Sequence, residues 1–159
     1  MLNNKFKRII AISDVHGQCN KLLKLLDKTK YDSAYDKLVI MGDMIDRGNQ
    51  NLSTIYACQK LQRRNAAEIL KGNHEQMAIA CIVDMIDDSY PTYPMEYIPT
   101  NNLDIWSCNG GKKTYKELKK LTRSQLISLL SFLNQLPLYF EIDNYIFVHA
   151  GVDPKKTIE

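Results

Sequence analysis

Short β-branched runs alternate with longer segments of helical period over the first two thirds of the chain. The runs occupy residues 9–12, 38–41 and 68–70, and each is followed by apolar residues at helical spacing. The runs recur about every 30 residues, which is the length of a β-α-β unit. The sequence therefore predicts an α/β fold with a parallel sheet and helical crossovers. The residues that mark the three helices are Leu22, Leu23, Leu25 and Leu26, then Leu52, Ile55, Tyr56 and Leu61, then Met77, Ile79, Ile82, Val83 and Ile86.

The pattern breaks in residues 87–100, where three prolines stand among polar residues and tyrosines. We expect an irregular excursion or lid there. The tyrosines could line a substrate groove or pack beside the prolines. These residues are Pro91, Pro94 and Pro99, and Tyr90, Tyr93 and Tyr97.

A last helix and a hairpin are predicted beyond Asn109-Gly110-Gly111, which is itself a backbone break. Thr122 and Gln125 have the spacing of a capping box. Leu126, Leu129, Leu130 and Leu133 give the helix a buried stripe, and Pro137 ends it. Residues 138–142 and 145–148 then read as two strands that turn at Asp143-Asn144.

Composition narrows the class of protein. The chain has 159 residues, about one domain, and is 45% hydrophobic. A net charge of +3 is too small to indicate a dedicated nucleic-acid binder, and no apolar run has the length of a membrane span. Cys19, Cys58, Cys81 and Cys108 are widely spaced, which favours free thiols. We expect a soluble, cytoplasmic protein with no nucleic-acid or membrane partner, and the sequence leaves its oligomeric state open.

Polar residues that can bind metals follow the ends of the apolar runs. In open α/β sheets the carboxyl ends of the strands line one crevice, so residues distant in sequence are expected to meet there. Their mixed oxygen and nitrogen ligands suit manganese, iron or zinc. Each residue alone has a simpler explanation as a turn former, a helix cap or a hydrogen-bonded histidine. The residues are Asp14, His16, Asp43, Asn73, His74 and His149.

Four sequence blocks carry a more specific signal. Together they resemble the metallophosphoesterase signature, and within it the phosphoprotein phosphatases that act on serine and threonine. Trp106 ahead of Asn109-Gly110-Gly111 is similar to the small bacterial and phage branch of that family. The blocks are Ser13-Asp14-Val15-His16-Gly17-Gln18, Gly42-Asp43-Met44-Ile45-Asp46-Arg47-Gly48, Gly72-Asn73-His74-Glu75 and Val148-His149-Ala150-Gly151.

The resemblance implies a calcineurin-like fold, with mixed β-sheets flanked by helices, and two divalent metal ions. Mn²⁺ is the first expectation, with Fe or Zn as alternatives. Asp14 and His16 would bind the first ion, Asn73 and His149 the second, and Asp43 would bridge the two.

The same resemblance implies roles for the remaining polar residues. His74 would protonate the leaving group with support from Asp46, and Arg47, Asn73 and His74 would bind the substrate phosphate. The expected reaction is dephosphorylation of phosphoserine and phosphothreonine proteins by a hydroxide shared between the metals. A simple salt bridge between Asp46 and Arg47 is the alternative explanation for that pair.

The family pattern continues beyond the residues of this chain. It includes a Gly-His-Thr block, whose histidine completes the second metal site, and a second phosphate-binding arginine. All three histidines of this chain already have other places in the pattern. We therefore expect residues 1–159 to be one catalytic domain without its C-terminal strands, weak or inactive alone.

Three other functions stay open at this stage. The first is hydrolysis of dinucleoside polyphosphates such as diadenosine tetraphosphate, because related enzymes use the same metal core. The second is a metal-binding module without catalysis, although such a module would not need His74, Asp46 and Arg47. The third is nucleic-acid binding through a lysine run that is more typical of a solvated helix face. Its members are Lys112, Lys113, Lys116, Lys119 and Lys120.

Overall fold

The computed structural model describes residues 6–64, 67–87, 101–153 and 155. Five strands and six helices lie within these ranges. The strands are β1 (Arg8–Ile12), β2 (Asp36–Ile40), β3 (Ala67–Ile69), β4 (Tyr139–Ile142) and β5 (Tyr145–Val148). The helices are α1 (Cys19–Lys28), α2 (Asn51–Arg63), α3 (Asn73–Ile86), α4 (Asn101–Cys108), α5 (Lys112–Leu118) and α6 (Arg123–Gln135).

The first three strands form a parallel sheet in the order β1-β2-β3. Leu38 of β2 pairs with Ile10 of β1 on one side and with Ala67 of β3 on the other. All five residues of β2 are buried, as expected for the central strand of a sheet covered on both faces. The two crossovers carry α1 and α2, so the predicted parallel α/β arrangement is confirmed.

The buried face of α1 is narrower than predicted. Leu22 and Leu26 are buried, but Leu23 and Leu25 are 48% and 41% exposed. Neighbouring positions on a helix point about 100° apart, so a face centred on residues 22 and 26 leaves 23 and 25 at its edges. Val83 of α3 and Tyr56 of α2, which also mark predicted helices, are about half exposed for the same reason.

The predicted capping box begins α6. The Thr122 N–H donates to Gln125 Oε1 over 2.8 Å, and the Gln125 N–H donates to Thr122 Oγ1 over 3.3 Å. Leu126, Leu129 and Leu133 are buried in the core, and Leu130, also predicted in the stripe, is partly buried. The helix ends at Gln135, two residues before Pro137, so this prediction is confirmed.

The predicted hairpin is confirmed as the second sheet. β4 and β5 are antiparallel, with Tyr139 opposite Val148 and Ile142 opposite Tyr145. The turn at Asp143-Asn144 places Asp143 at φ +53°, a conformation that aspartate tolerates better than most residues. The chain leaves β5 directly into His149.

The remaining expectations concern residues 87–108, the cysteines and membrane spans. Helix α4 was not predicted, and of the irregular segment 87–100 only Asp87 lies among the described residues. The cysteines are free, and burial raises the pKa of Cys81 to about 12, so this thiol stays protonated and is a poor metal ligand. No helix in the described part of the chain is long and apolar enough to cross a membrane.

Candidate metal centre

Loops that follow four different strands bring the predicted polar residues together. Asp14 and His16 follow β1, and Asp43 follows β2. The loops after β1 and β2 remain hydrogen-bonded to each other beyond the sheet. The His16 N–H donates to the Asp43 carbonyl over 2.9 Å, and the Gly17 N–H donates to the Met44 carbonyl over 2.8 Å. Asn73 and His74 begin α3 just after β3, while His149 follows β5.

The backbone of these loops is bent sharply. Five non-glycine residues have positive φ angles, which L-amino acids seldom adopt and which cost free energy at each position. Such conformations concentrate where a surrounding structure holds functional side chains in place. The residues are Asp14 (φ 55°), His16 (φ 45°), Asp43 (φ 51°), Asp46 (φ 75°) and Arg47 (φ 63°).

Asp43 lies at the centre of the cluster and is 4% exposed. Its Oδ2 atom is 3.8 Å from His16 Nε2, and its Oδ1 atom is 3.3 Å from His149 Nε2. The two oxygens of one carboxylate therefore face two different histidines. This arrangement is the one expected of a carboxylate that bridges two cations.

His16 supplies a test of whether a metal fits. Its Nδ1 atom lies 2.8 Å from the Ile45 carbonyl, which can only accept, so Nδ1 carries the proton. Nε2 then presents a lone pair, and this atom is buried without a hydrogen-bond partner among the described residues. An unsatisfied buried polar atom is costly, and a cation beside Nε2 would satisfy it. The residues present therefore fit a metal ion.

His149 repeats the pattern on the other side of Asp43. Its Nδ1 atom donates to the Met41 carbonyl over 2.8 Å, which leaves Nε2 as the inward-facing atom. Nε2 lies 3.1 Å from Asn73 Oδ1 and 3.3 Å from Asp43 Oδ1. Three electron-pair donors meet there, and a cation between them would bind all three.

Asp14 lies at the open edge of the cluster. Its side chain is 54% exposed, and Oδ1 is 3.9 Å from His16 Nε2. Ser13 Oγ donates a hydrogen bond to its other oxygen. Asp14, His16 and Asp43 thus surround one position, and Asp43, Asn73 and His149 surround another.

A second set of contacts links His74 to Asp46. His74 Nδ1 lies 2.6 Å from Asp46 Oδ2, which also accepts a hydrogen bond from Trp106 Nε1 over 2.6 Å. Thr114 Oγ1 donates to the other oxygen. Because Trp106 can only donate, Oδ2 of this fully buried Asp46 acts as an acceptor, and its contact with Nδ1 fixes the His74 tautomer. The alternative of an Asp46–Arg47 salt bridge is not what the structure shows.

Arg47 instead contacts His74. Its Nη2 atom is 3.3 Å from His74 Nε2, which is itself 3.7 Å from Asp43 Oδ2. His16, Asp43 and His74 could by distance form one metal cluster, since their ligand atoms lie within 4.8 Å of one another. The permanently positive guanidinium beside His74 Nε2 disfavours a cation at that atom. His74 and Arg47 therefore form a separate pair beside the two candidate metal positions.

Glu75 holds the loop that carries Asp43, a role that the sequence did not reveal. Its carboxylate accepts hydrogen bonds from the backbone N–H groups of Asp43, Met44 and Gly72 over 2.8, 2.8 and 2.9 Å. Burial raises the pKa of Glu75, while these N–H groups favour its charged form. Gly72 is also needed for space, because a side chain there would collide with Asp43 Oδ1.

Helices α4 and α5 contribute further residues that sequence analysis missed. Trp106 was noted only as a family marker, and Thr114 had no signal at all. Glu117 accepts from the N–H groups of Asn51 and Leu52 at the start of α2, over 3.1 and 2.9 Å. Asn51 Oδ1 in turn accepts from the Asp46 N–H over 2.9 Å. These contacts fix the turn that carries Asp46 and Arg47.

Comparison with known proteins agrees with this geometry. The model of the calcineurin-like phosphoesterase family matches residues 7–157. A symmetrical bis(5'-nucleosyl)-tetraphosphatase of Methylococcus capsulatus is 30% identical over 153 residues, which are 95% of this chain and 45% of that protein. Serine/threonine-protein phosphatase 1 of Salmonella typhimurium is 28% identical over 149 residues, which are 91% of this chain and 59% of that protein. The chain thus spans about half the length of the curated relatives it matches.

A solved structure shares the fold. It belongs to a protein provisionally assigned as a diadenosine tetraphosphatase and superposes with a TM-score of 0.65 at 19% identity. The superposition covers 99% of this chain and 56% of that one. The predicted calcineurin-like fold is therefore confirmed.

Replacing Glu75 with Gln is expected to destabilise the fold by ~1–3 kcal/mol, because an amide NH₂ group would then face at least one of the three backbone donors. Urea denaturation measures the change. Glu141→Gln, at an exposed position of β4, is the matched control and should unfold at nearly the wild-type urea concentration. Equal unfolding midpoints for the two variants would contradict the assigned role.

Proposed function

This chain belongs to the calcineurin-like phosphoesterase family, and on that premise we propose that it hydrolyses phosphoesters at a dinuclear metal centre. One observation carries the proposal: the two oxygens of Asp43 face the Nε2 atoms of His16 and His149. The expected metal is Mn²⁺, with Fe or Zn as alternatives. Two bound cations would lower the pKa of a water molecule between them and offset charge on the phosphate during attack.

The chain's own residues would divide the remaining work. Asp14, His16 and Asp43 would hold one ion, and Asp43, Asn73 and His149 the other. Arg47 lies next to His74 and offers its planar fork to phosphate oxygens. His74 and Asn73 would bind the same phosphate group as Arg47.

His74 is positioned to protonate the leaving group. In this structure its Nε2 atom faces Arg47 Nη2 at 3.3 Å, so Nε2 serves there as an acceptor. A phosphate that engages Arg47 would draw the guanidinium away and leave Nε2 able to carry a proton. Asp46 would stabilise the resulting charge through its 2.6 Å contact with Nδ1.

Two substrate classes are supported by different observations. Phosphoserine and phosphothreonine proteins, in the manner of the bacterial and phage branch, are favoured by the region around Trp106. That region reaches the site, since Trp106 binds Asp46 and the Gly110 carbonyl accepts from the Arg47 N–H over 3.1 Å. Dinucleoside tetraphosphates are favoured by the relative from Methylococcus capsulatus.

His74→Asn is expected to slow hydrolysis of alkyl phosphates by about 10²-fold or more, because their leaving groups need a proton. Aryl phosphates with acidic leaving groups should lose much less activity. Rates for phosphoserine and p-nitrophenyl phosphate under saturating Mn²⁺ test this expectation. Metal binding by the variant serves as the control for folding, and an equal loss on both substrates would remove His74 from the acid role.

Substrate class is tested by comparing a phosphothreonine peptide with diadenosine tetraphosphate at equal concentrations and in the presence of Mn²⁺. A phosphoprotein phosphatase should release phosphate from the peptide and leave the dinucleotide intact. Cleavage of the dinucleotide alone would replace the first substrate class with the second. If neither is cleaved while p-nitrophenyl phosphate is, both substrate assignments fail and the phosphoesterase proposal stands.

A further inference from the structure

The connection between α4 and α5 packs against the turn that carries Asp46. Gly110, at φ +100°, turns the chain between the two helices, a conformation that glycine adopts without strain. Gly111 lies against the Trp106 indole, because a side chain at this position would collide with the ring. The glycine pair thereby brings Trp106 of α4 and Thr114 of α5 to one buried carboxylate, that of Asp46.

Side chains from three helices hold the Asp46 carboxylate. His74 Nδ1 of α3 and Trp106 Nε1 of α4 each lie 2.6 Å from Oδ2, and Thr114 Oγ1 of α5 donates to Oδ1. Each of these four residues is at most 1% exposed. Because hydrogen bonds are directional, a carboxylate with donors on both oxygens cannot rotate about its Cβ–Cγ bond without weakening them. The indole and the hydroxyl therefore fix the plane against which the His74 ring is aligned.

The orientation of the His74 ring decides where its Nε2 atom points. With Nδ1 beside Asp46, Nε2 lies 3.3 Å from Arg47 Nη2 and 3.7 Å from Asp43 Oδ2. This position is between the candidate phosphate site and the candidate metal centre, where a leaving group would need its proton. A catalytic group displaced by about 1 Å can lose about 10²-fold in rate. The ring angle, and hence the carboxylate angle, matters for the reaction.

We propose that Thr114 is a positioning residue for proton transfer to the leaving group, acting through Asp46 and His74. Trp106 and His74 share Oδ2, so removal of the Thr114 hydroxyl would free Oδ1 to swing and the ring to follow. The inference rests on the proposed function and extends it to a residue outside the proposed metal and phosphate sites.

The position of α5 does not depend on the Thr114 hydroxyl alone. Glu117, one turn further along the helix, accepts from the N–H groups of Asn51 and Leu52 over 3.1 and 2.9 Å. Leu118 is buried in the core. Valine has nearly the shape of threonine but lacks the hydroxyl. Thr114→Val should therefore leave α5 in place and remove only the contact with Asp46.

The experiment measures hydrolysis of phosphoserine and p-nitrophenyl phosphate under saturating Mn²⁺. Thr114→Val should slow phosphoserine about tenfold, because its leaving group needs the proton, and p-nitrophenyl phosphate less than about twofold. Thr114→Ser keeps the hydroxyl and should restore the phosphoserine rate. Trp106→Phe removes the donor on Oδ2 and should act in the same direction as Thr114→Val.

Thr54→Val is the matched control and should change neither rate. Thr54 is a fully buried threonine of α2, and its hydroxyl donates to the Gln50 carbonyl over 2.7 Å. The substitution therefore removes a buried hydroxyl of the same kind without touching Asp46.

Two further measurements separate positioning from general destabilisation. In a His74→Asn background, Thr114→Val should barely change the phosphoserine rate, because the group that it positions is absent. In the metal-free chain, NMR follows the His74 Nδ1–H signal, which is assigned by its loss in His74→Asn. This proton should exchange with solvent at least about tenfold faster in Thr114→Val than in Thr54→Val.

Equal slowing of both substrates by Thr114→Val, in the wild-type and His74→Asn backgrounds alike, would assign Thr114 to the fold and overturn this inference. Wild-type rates on both substrates would overturn it as well. Either result leaves the proposed function intact, since the wild-type chain still hydrolyses p-nitrophenyl phosphate. If the wild-type chain hydrolyses neither substrate, the proposed function fails and this inference fails with it.

Discussion

The buried carboxylate of Asp43 is the constraint on which the rest of the site depends. Its two oxygens face histidines from different parts of the chain, 3.8 and 3.3 Å away. Buried negative charge requires compensation, and Glu75 and Asp46 add two further buried carboxyl groups nearby. Backbone N–H groups satisfy Glu75, and donors surround Asp46. Asp43 Oδ1 accepts from the His74 N–H over 3.1 Å. Further compensation for Asp43 would come from cations bound beside the two Nε2 atoms.

A second set of contacts, around Asp46, orients the His74 ring. Asp46 is held by Trp106 and Thr114 from one side and by Asn51 through its backbone. It therefore presents the His74 ring in one orientation, with Nε2 towards Arg47 and Asp43. The α4–α5 region thus contributes to the site by orienting His74 and Arg47, although it supplies no candidate metal ligand among its described residues.

The sequence predicts the local features well where one physical rule decides them. β-branched runs predict the three parallel strands, although β1 is only partly buried while β2 is fully buried. The spacing of Thr122 and Gln125 predicts a cap that the structure contains. The convergence of Asp14, Asp43 and Asn73 could be anticipated because the parallel strands β1, β2 and β3 end at one edge. That rule does not account for His149, which follows the antiparallel strand β5. Helix faces were predicted too widely at Leu23 and Leu25, since burial depends on which partner covers each position.

Contacts that depend on tertiary packing could not be predicted from the sequence. Nothing in the sequence distinguishes Thr114 from other helical threonines. Its contact with Asp46 exists because α5 packs beside that residue. Glu75 follows His74 in a recognisable block, yet its three backbone contacts arise from two loops that meet only in the folded chain.

Metal binding by Asp43→Asn tests the central claim most directly. Asp43 faces both candidate metal positions, so the variant should bind Mn²⁺ at least about tenfold more weakly than wild type at every measurable site. Calorimetric titration provides the measurement, and Asp27→Asn on the exposed face of α1 provides the control. Mn²⁺ binding by Asp43→Asn with wild-type affinity and stoichiometry would contradict the account.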